Sequence, residues 1–250
     1  MKHQSPLLAV AGLLALRAFA TQACAEPALP VFDPANFVPG AAIDHPYLPL
    51  KPGFRSESLG LRRADDGTSV EERTVLAYGG VGPTLAGVVS TVLSDEVRDG
   101  GVLVEQTLDY FAQDRQGNVW YLGEDSVEIT HDAKGGVTGK DSTGSWHAGV
   151  NGALPGYAMP AAPKPGLAYQ QEHAPADKAL DQAEIAGVDG TLTIGGQVYE
   201  HVLSIFESTP LEPGAAEMKY YAPGVGVIRV EEGLDKTRAN PAMHFDLVPG

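Results

Sequence analysis

The sequence predicts a mainly β protein: an antiparallel curved sheet, roll or half-barrel that follows an extended N-terminal segment. Short runs rich in β-branched and aromatic residues recur from residue 53 onward, and such runs favour strands. The chain contains 30 glycines and 19 prolines, many of which separate these runs as turns and loops. Only residues 176–183, just after Pro175, are compatible with one or two helical turns.

The first 25 residues have the pattern of a secretory signal peptide. Lys2 and His3 precede an apolar run from Pro6 to Leu16, which is too short to span a bilayer as a helix. The small residues of Ala23–Ala25 fit the positions before a cleavage site. We therefore expect residues 1–25 to be removed and the mature protein to be periplasmic or secreted.

Cys24, the only cysteine of the chain, allows a second interpretation of the N-terminus. If Cys24 became the first residue of the mature protein, it would carry a lipid anchor. Lipoprotein signals usually have an aliphatic residue three positions before the cysteine, where this chain has Thr21. Cleavage after Ala25 is therefore the favoured prediction, and lipidation of Cys24 is the alternative.

Residues 26–52 are predicted to form an extended, proline-rich lead-in to a β domain over residues 53–250. Prolines recur through this segment and block helix formation and central-strand pairing. The segment also carries apolar residues, among them Phe32, Phe37 and Leu50. We expect parts of it to pack on the domain.

The clearest hairpin runs from Val102 to Gly123. Residues 114–117 carry its turn signals, because Asp favours the start of a type I turn and Gly117 can adopt a positive φ. Strand alternation places Tyr110 on one face and Phe111 on the other. Aromatic residues on both faces indicate that one face is core and that the other is covered or forms a pocket wall.

The last third of the chain has the most regular pattern. Gly195-Gly196 and residues 223–226 are strong turn signals there. Strands are expected at residues 190–194, 197–208, 215–221, 227–232 and 243–248.

Four sequence blocks occur in order within residues 40–232. They are Asp44–Gly53 (DHPYLPLKPG), Tyr110–Asp125 (YFAQDxxGNVWYxGED), Gly144–Val150 (with GSW) and Tyr220–Gly226 (YYAPGVG). Through these blocks the chain resembles a group of secreted bacterial proteins of unassigned function. The last block also resembles the strand-turn-strand of periplasmic half-barrels related to lipoprotein carriers. The resemblance implies an exported β protein and carries over no catalytic role.

The charge of the chain argues against two classes of partner. The chain has 17 Lys and Arg against 32 Asp and Glu, which gives a net charge of −15. Such a charge repels nucleic acid and anionic lipid surfaces. We therefore expect no nucleic-acid partner, and no later stretch has the length of a membrane span. A protein partner is left open.

The sequence contains no recognised catalytic motif, which favours a non-enzymatic role. It has no Gly-x-Ser-x-Gly elbow, and Ser145 and His147, which share a strand face, have no evident acid partner. A metal-dependent enzyme or hydrolase with dispersed histidines and carboxylates is the alternative. It requires at least two of His45, His147 and His173 to converge, although no histidines have the spacing of a zinc motif.

The candidate ligand-binding residues are aromatic. They are Tyr110, Trp120, Tyr121, Trp146, Tyr220 and Tyr221. Such residues either line an apolar pocket in a curved sheet or form an ordinary β core. The leading hypothesis is an exported binding domain for a small or apolar ligand, without a cofactor. A structural envelope protein is a third possibility, because the lead-in is rich in proline.

Overall fold

The computed structural model describes residues 27–249 apart from 64–66, 213, 235–237 and 239. The predicted signal peptide and Cys24 lie outside the described residues. A short 3-10 turn at Pro34–Asn36 precedes the strands. The strands are β1 (Arg55–Arg63), β2 (Ser69–Leu85), β3 (Val88–Asp99), β4 (Val102–Gln113), β5 (Val119–His131), β6 (Val137–Asp141), β7 (Trp146–His147), β8 (Leu154–Met159), β9 (Ala168–Gln170), β10 (Glu172–His173), β11 (Gln182–Ile194), β12 (Gln197–Ser208), β13 (Ala216–Ala222), β14 (Gly226–Glu232) and β15 (Met243–Leu247).

The strands form one antiparallel sheet. Its order is β10-β8-β5-β4-β3-β2-β1-β15-β14-β13-β12-β11-β9, and β6 and β7 pair with β5 beside this path. The 13-strand path curls nearly closed into a barrel with one unsealed seam. This architecture confirms the predicted antiparallel curved sheet with an extended segment before it.

The seam lies between the two ends of the sheet, β9 and β10, which a single residue joins. Gln171 donates its backbone N–H to Asp181, and β10 then pairs with β8 on the far side of the seam. A Cβ on Gly156 of β8 would lie 2.1 Å from the carbonyl oxygen of Gln170, so β8 can approach β9 this closely only with glycine there. The two ends of the sheet are therefore held beside each other.

Residues 174–179 form a turn, so the prediction of helical turns at 176–183 was wrong. Ala174 and Ala179 exchange two backbone hydrogen bonds of 2.8 and 3.1 Å, which close a narrow loop. From Gln182 onward the chain pairs in β11, and this pairing uses the backbone groups that a helix would need. In the part of the chain that the structure describes, no helix is both long and apolar enough for a membrane span.

The proline-rich lead-in is packed against the sheet. Phe37, Ile43 and Leu50 are buried, the last two almost completely. Ile43 and Leu50 belong to the same core cluster as Leu93 and Phe111 of the interior. We call residues 43–50 the strap, because this part of the lead-in closes one end of the curled sheet.

The strap connects opposite sides of the sheet. The backbone N–H groups of Asp44 and His45 donate to the Gln113 side chain at the end of β4. The Pro46 carbonyl accepts a 2.7 Å bond from Gly224, in the turn between β13 and β14. The strap therefore ties β4 to the opposite wall.

The outer face of the β4–β5 hairpin is covered by the lead-in. Phe32 and Phe37 lie with ring centroids 5.2 and 6.1 Å from that of Trp120. Tyr110, Ala112 and Trp120 are buried in this outer cluster. Both faces of the hairpin thus carry buried aromatic residues for different reasons: one faces the interior and the other carries the lead-in.

Candidate functional site

Strand alternation turns carboxylates of β3 and β4 into the interior. Leu93, Asp95, Val97 and Asp99 of β3 line one cavity, and they form the inward face of that strand. In β4, Asp109 and Phe111 line the same cavity, whereas Tyr110 is packed on the opposite face. The face of β4 that carries its acidic residues is therefore the interior one.

This cavity has a volume of about 960 Å³, and its lining changes character along the strands. In β3 it runs from Leu93 to Asp99, and in the antiparallel β4 it runs from Phe111 to Glu105. The carboxylates gather towards one end, where they are interspersed with apolar side chains such as Val97, Val104 and Ile129, whereas the other end is mainly aromatic and aliphatic. We call these the apolar end and the acidic end.

Aromatic rings and the strap form the apolar end. Phe111 and Tyr121 stack with centroids 5.0 Å apart and planes 22° apart. Leu48 of the strap also lines the cavity. The residues at this end are Leu48, Leu76, Leu93, Phe111, Tyr121, Ala158, Tyr221 and Val227.

Carboxylates begin directly beside these rings. The Tyr121 hydroxyl donates a 2.7 Å hydrogen bond to Asp109 Oδ1. Burial raises the pKa of Asp109 to about 6 and that of Asp95 to about 7. Asp95 Oδ1 is buried and accepts no hydrogen bond from the residues that the structure describes.

Lys219 is the cation on the opposite wall. Its Nζ lies 2.8 Å from Glu207 Oε2 and 2.9 Å from Glu217 Oε1. Burial disfavours the charge of Lys219, but the two carboxylates outweigh it and raise the pKa of the lysine well above its usual value. Lys219 therefore stays charged and is already neutralised by its own partners.

Carboxylates outnumber cations at the acidic end. Arg62 is engaged there by Asp99 and by Glu72, whose Oε2 lies 3.3 Å from Arg62 Nε. Among the described lining residues, Arg62 and Lys219 face ten carboxylates: Glu72, Asp95, Asp99, Glu105, Asp109, Glu128, Asp181, Glu207, Glu217 and Glu232. A smaller pocket of about 250 Å³ shares four of these, Asp181, Glu207, Glu217 and Glu232.

The structure brings two of the six predicted aromatic residues together in the cavity, Tyr121 and Tyr221. Tyr110 and Trp120 lie in the outer cluster beneath the lead-in. Trp146 belongs to a separate alanine-rich cluster, although its ring also contacts Tyr121 edge to face at 5.5 Å. Tyr220 lies in a fourth cluster and donates to Glu231 at 2.9 Å.

The serine and histidine candidates have local partners. Ser145 Oγ donates to the Ser126 carbonyl and accepts the Ser126 N–H, so its hydroxyl ties the residue before β7 to β5. His147 Nε2 lies 3.1 Å from Asp125 Oδ1. His45, which belongs to the strap, is buried, and its Nδ1 accepts the N–H of Tyr47. Within the described ranges, no three His, Cys, Asp or Glu side chains are arranged to hold a metal ion.

The four sequence blocks build the scaffold around the apolar end. The strap, from the first block, bonds to Gln113 of the second block and to Gly224 of the fourth. The third block meets the second where Trp146 and His147 pair with β5, and a Cβ on Gly123 would lie 2.3 Å from the Trp146 carbonyl oxygen. These blocks therefore position the cavity wall and its closure.

Sequence reasoning missed the acidic residues of the cavity. Glu105 and Asp109 lie four residues apart in β4, as do Asp95 and Asp99 in β3. Because side chains alternate between the two faces of a strand, each pair lies on one face. This alternation was a detectable signal, but an acidic strand face normally indicates solvent. Only the curl of the sheet makes that face internal.

No protein-family model matches the chain, and no curated protein matches its sequence. In structure, the chain is similar to a Bacteroides fragilis protein, provisionally described as exported and with a YmcC-like fold. That match has 11% identity and a TM-score of 0.38 over 83% of this chain and 98% of the other. A provisionally described lipoprotein from Parabacteroides distasonis has 11% identity and a TM-score of 0.36 over 80% and 96% of the two chains. A DUF1329 family protein from Desulfovibrio piger has 9% identity and a TM-score of 0.25 over 78% and 82%.

Proposed function

We propose that this protein is a binding protein that holds a small ligand with an apolar body in the interior cavity. The observation that carries the proposal is the apolar end of a cavity of about 960 Å³, lined by Phe111, Tyr121 and Tyr221. Ligand pockets are typically concave, mostly apolar and roughly 300–1,000 Å³ in volume. The cavity lies at the upper part of that range, which suits a lipid-like or drug-sized molecule.

The apolar end is built as a pre-formed site. The strap closes it through bonds to Gln113 and Gly224, and Tyr47 adds a 2.9 Å bond from its hydroxyl to the His201 carbonyl. Rings held in place by surrounding structure lose little freedom when a ligand binds, so more of the contact energy remains as affinity. This rigidity favours a binding role.

Export is part of the proposal and has separate support. Residues 1–25 have the composition of a signal peptide, and a periplasmic or secreted protein meets the lipids and small molecules of the envelope. A binding domain in that compartment would carry or sequester such molecules. Lipidation at Cys24 would place the same domain at a membrane surface.

The experiment is a titration of the mature protein with N-phenyl-1-naphthylamine, an apolar dye that is uncharged at neutral pH and whose emission rises in apolar surroundings. We expect a saturable increase with one site per protein. Ala158→Phe, which places a larger side chain into the apolar end, should weaken dye binding at least about tenfold, since the added ring fills volume that the ligand would occupy.

Val198→Phe is the matched control, because Val198 is exposed on β12 and is not among the cavity residues. It should leave dye binding unchanged. Thermal unfolding of both variants checks the fold, and Val227→Phe, also at the apolar end, replaces Ala158→Phe if that variant does not fold. A titration without saturation, or an equal loss in both variants, overturns the proposal.

A further inference from the structure

We propose that the ligand of this cavity carries a positively charged amine at the end opposite to its apolar body, and that Asp95 binds this group. The inference rests on the proposed function and specifies the ligand class of the same site. The ligand would be an amphiphilic cation of the alkylammonium type.

The first argument is the charge of the wall. Both described cations of the lining are already engaged, Lys219 by Glu207 and Glu217 and Arg62 by Glu72 and Asp99. These partners account for four of the ten carboxylates. The wall formed by β3 and β4 is left with Asp95, Glu105 and Asp109, so its potential attracts cations and repels anions.

The second argument is the state of Asp95 itself. Its Oδ1 is buried, has no hydrogen-bond partner among the described residues, and belongs to a side chain that lines the cavity. Burying a carboxylate oxygen without a hydrogen-bond partner is energetically costly. The two neighbouring carboxylates on the inward face do have partners, because each accepts a hydrogen bond from a hydroxyl group. The Tyr121 hydroxyl donates to Asp109, and the Thr107 hydroxyl donates to Glu105. Of the three carboxylates left on the wall of β3 and β4, Asp95 is therefore the one with a buried oxygen that can accept a hydrogen bond from a ligand.

The third argument is the position of Asp95 between the two ends. Leu93 and Val97 precede and follow it on the inward face of β3, so apolar contact is available on both sides. An ammonium group offers three donors and needs only a few carboxylate oxygens. A metal ion needs a tighter set, and no group of three suitable side chains exists in the described ranges. The geometry thus favours an organic ammonium.

The high pKa of Asp95 supports this assignment. Burial and the neighbouring carboxylates of Asp109 and Glu105 raise it to about 7, and the charge of Lys219 offsets this effect only in part. A bound ammonium would stabilise the ionised form and lower that pKa again. Binding near neutral pH should therefore release a proton from the protein.

The experiment displaces the bound dye with three molecules of equal chain length, n-decylamine, n-decanol and n-decanoate, at pH 8. Alkylamines titrate like lysine, near pH ~10.4, so the amine is charged under these conditions. We expect it to displace the dye about tenfold to hundredfold more effectively than the alcohol, as for a hydrogen bond to a charged group. The decanoate should be the weakest of the three.

The Asp95→Asn variant should lose most of the preference for decylamine over decanol. Asp125→Asn is the control, because Asp125 is a carboxylate on the outer face of β5, half exposed and bound to Tyr110 and His147. It should keep the preference. Calorimetry in buffers of different ionisation enthalpy should detect proton release with the parent protein and less with Asp95→Asn.

The outcomes separate the two proposals. If the dye binds and decanol competes as well as decylamine, the cationic ligand is ruled out while the binding function stands. If the preference for amine survives in Asp95→Asn, or falls equally in Asp125→Asn, the assignment to Asp95 is wrong. If the dye does not bind at all, the binding function itself fails.

Discussion

The hydroxyl of Tyr121 donates a 2.7 Å hydrogen bond to Asp109 Oδ1 at the boundary between the apolar and acidic ends of the cavity. Burial raises the pKa of Asp109, and this bond opposes that effect. We expect Tyr121→Phe to lower the free energy of unfolding by about 1–3 kcal/mol at pH 8, because an ionised carboxylate loses a donor. The loss should be smaller at pH 5, where Asp109 is protonated. Chemical denaturation at both pH values measures it.

The control for that variant is Tyr220→Phe. Tyr220 makes the same kind of bond to Glu231, at 2.9 Å, outside the cavity. Its removal should cost less and should show a weaker dependence on pH. Equal losses in the two variants would mean that the interior position of Asp109 has no special energetic effect.

Protein stability should decrease as pH rises from about 5 to 8. The pKa values of Asp109, Asp95, Glu232, Glu124 and Glu172 are raised, mainly by burial, to about 6, 7, 7, 8 and 9. In this range the folded state holds protons that the unfolded state has released, so raising the pH favours unfolding. We expect a loss on the order of 2 kcal/mol or more between pH 5 and pH 8.

The Asp95→Asn variant tests the origin of this pH dependence. It removes one buried ionisable group, so it should flatten the decline and stabilise the protein at pH 8 by about 1–3 kcal/mol. Thermal unfolding of both proteins across the pH range provides the comparison. A parent protein that is most stable at pH 8 would contradict the interior placement of these carboxylates.

The lead-in should contribute to stability as an ordinary part of the core. Leu50 in the strap is 1% exposed, so Leu50→Ala should cost about 2–5 kcal/mol. Val31, in the same segment, is 90% exposed, and Val31→Ala should change stability by less than about 0.5 kcal/mol. Urea denaturation distinguishes the two. Similar small effects would show that the lead-in is a detachable tail.

Replacing Asp114 should destabilise the protein far more than replacing Asp132, the aspartate of the next turn. Its Oδ1 accepts from the N–H groups of Gln116 and Asn118, and its Oδ2 accepts from the Asn118 amide and from Trp120 Nε1 at 2.8 Å. In Asp114→Asn, the new side-chain NH2 group would take the place of Oδ2 and would face two other donors, the Asn118 amide and Trp120 Nε1. We expect a loss of about 1–3 kcal/mol in the free energy of unfolding.

Asp132→Asn is its control. Asp132 Oδ1 accepts only backbone N–H groups, those of Lys134 and Gly136, and an asparagine oxygen can accept the same bonds. Its substitution should change thermal stability little. If both substitutions lowered stability by the same small amount, the bonds of Asp114 to the Asn118 and Trp120 side chains would not contribute to the stability of the hairpin.

Local rules predicted the course of the chain well. The turn at Asp114 has the expected geometry, because Gly117 has a φ of 93° and donates to the Asp114 carbonyl. The predicted strands of the last third correspond to β11–β15, with β11 beginning earlier, at Gln182. Turn chemistry and β propensity act over a few residues, which is why the sequence alone was sufficient to predict these elements.

The site was harder to predict because strand alternation distinguishes two faces without saying which is inside. In β4, Tyr110 was as plausible an inward residue as Phe111, and the cluster that buries Tyr110 includes Phe37, from a segment far away in the sequence. The same ambiguity hid Asp109. Long-range closure of the sheet decides the question, and no local pattern encodes it.

The pairing of Ala28 with β9 has a consequence for how safely the chain folds. Ala28 accepts a bond from Gln170 and donates to Ala168, and in this way it occupies the outer side of an edge strand. Unpaired strand edges are templates for aggregation. Ala28 and β9 are more than a hundred positions apart, so their pairing closes a long loop, and we expect the edge to be exposed until that loop closes. The tendency of this protein to aggregate should therefore depend on how quickly the segment around Ala28 pairs with β9.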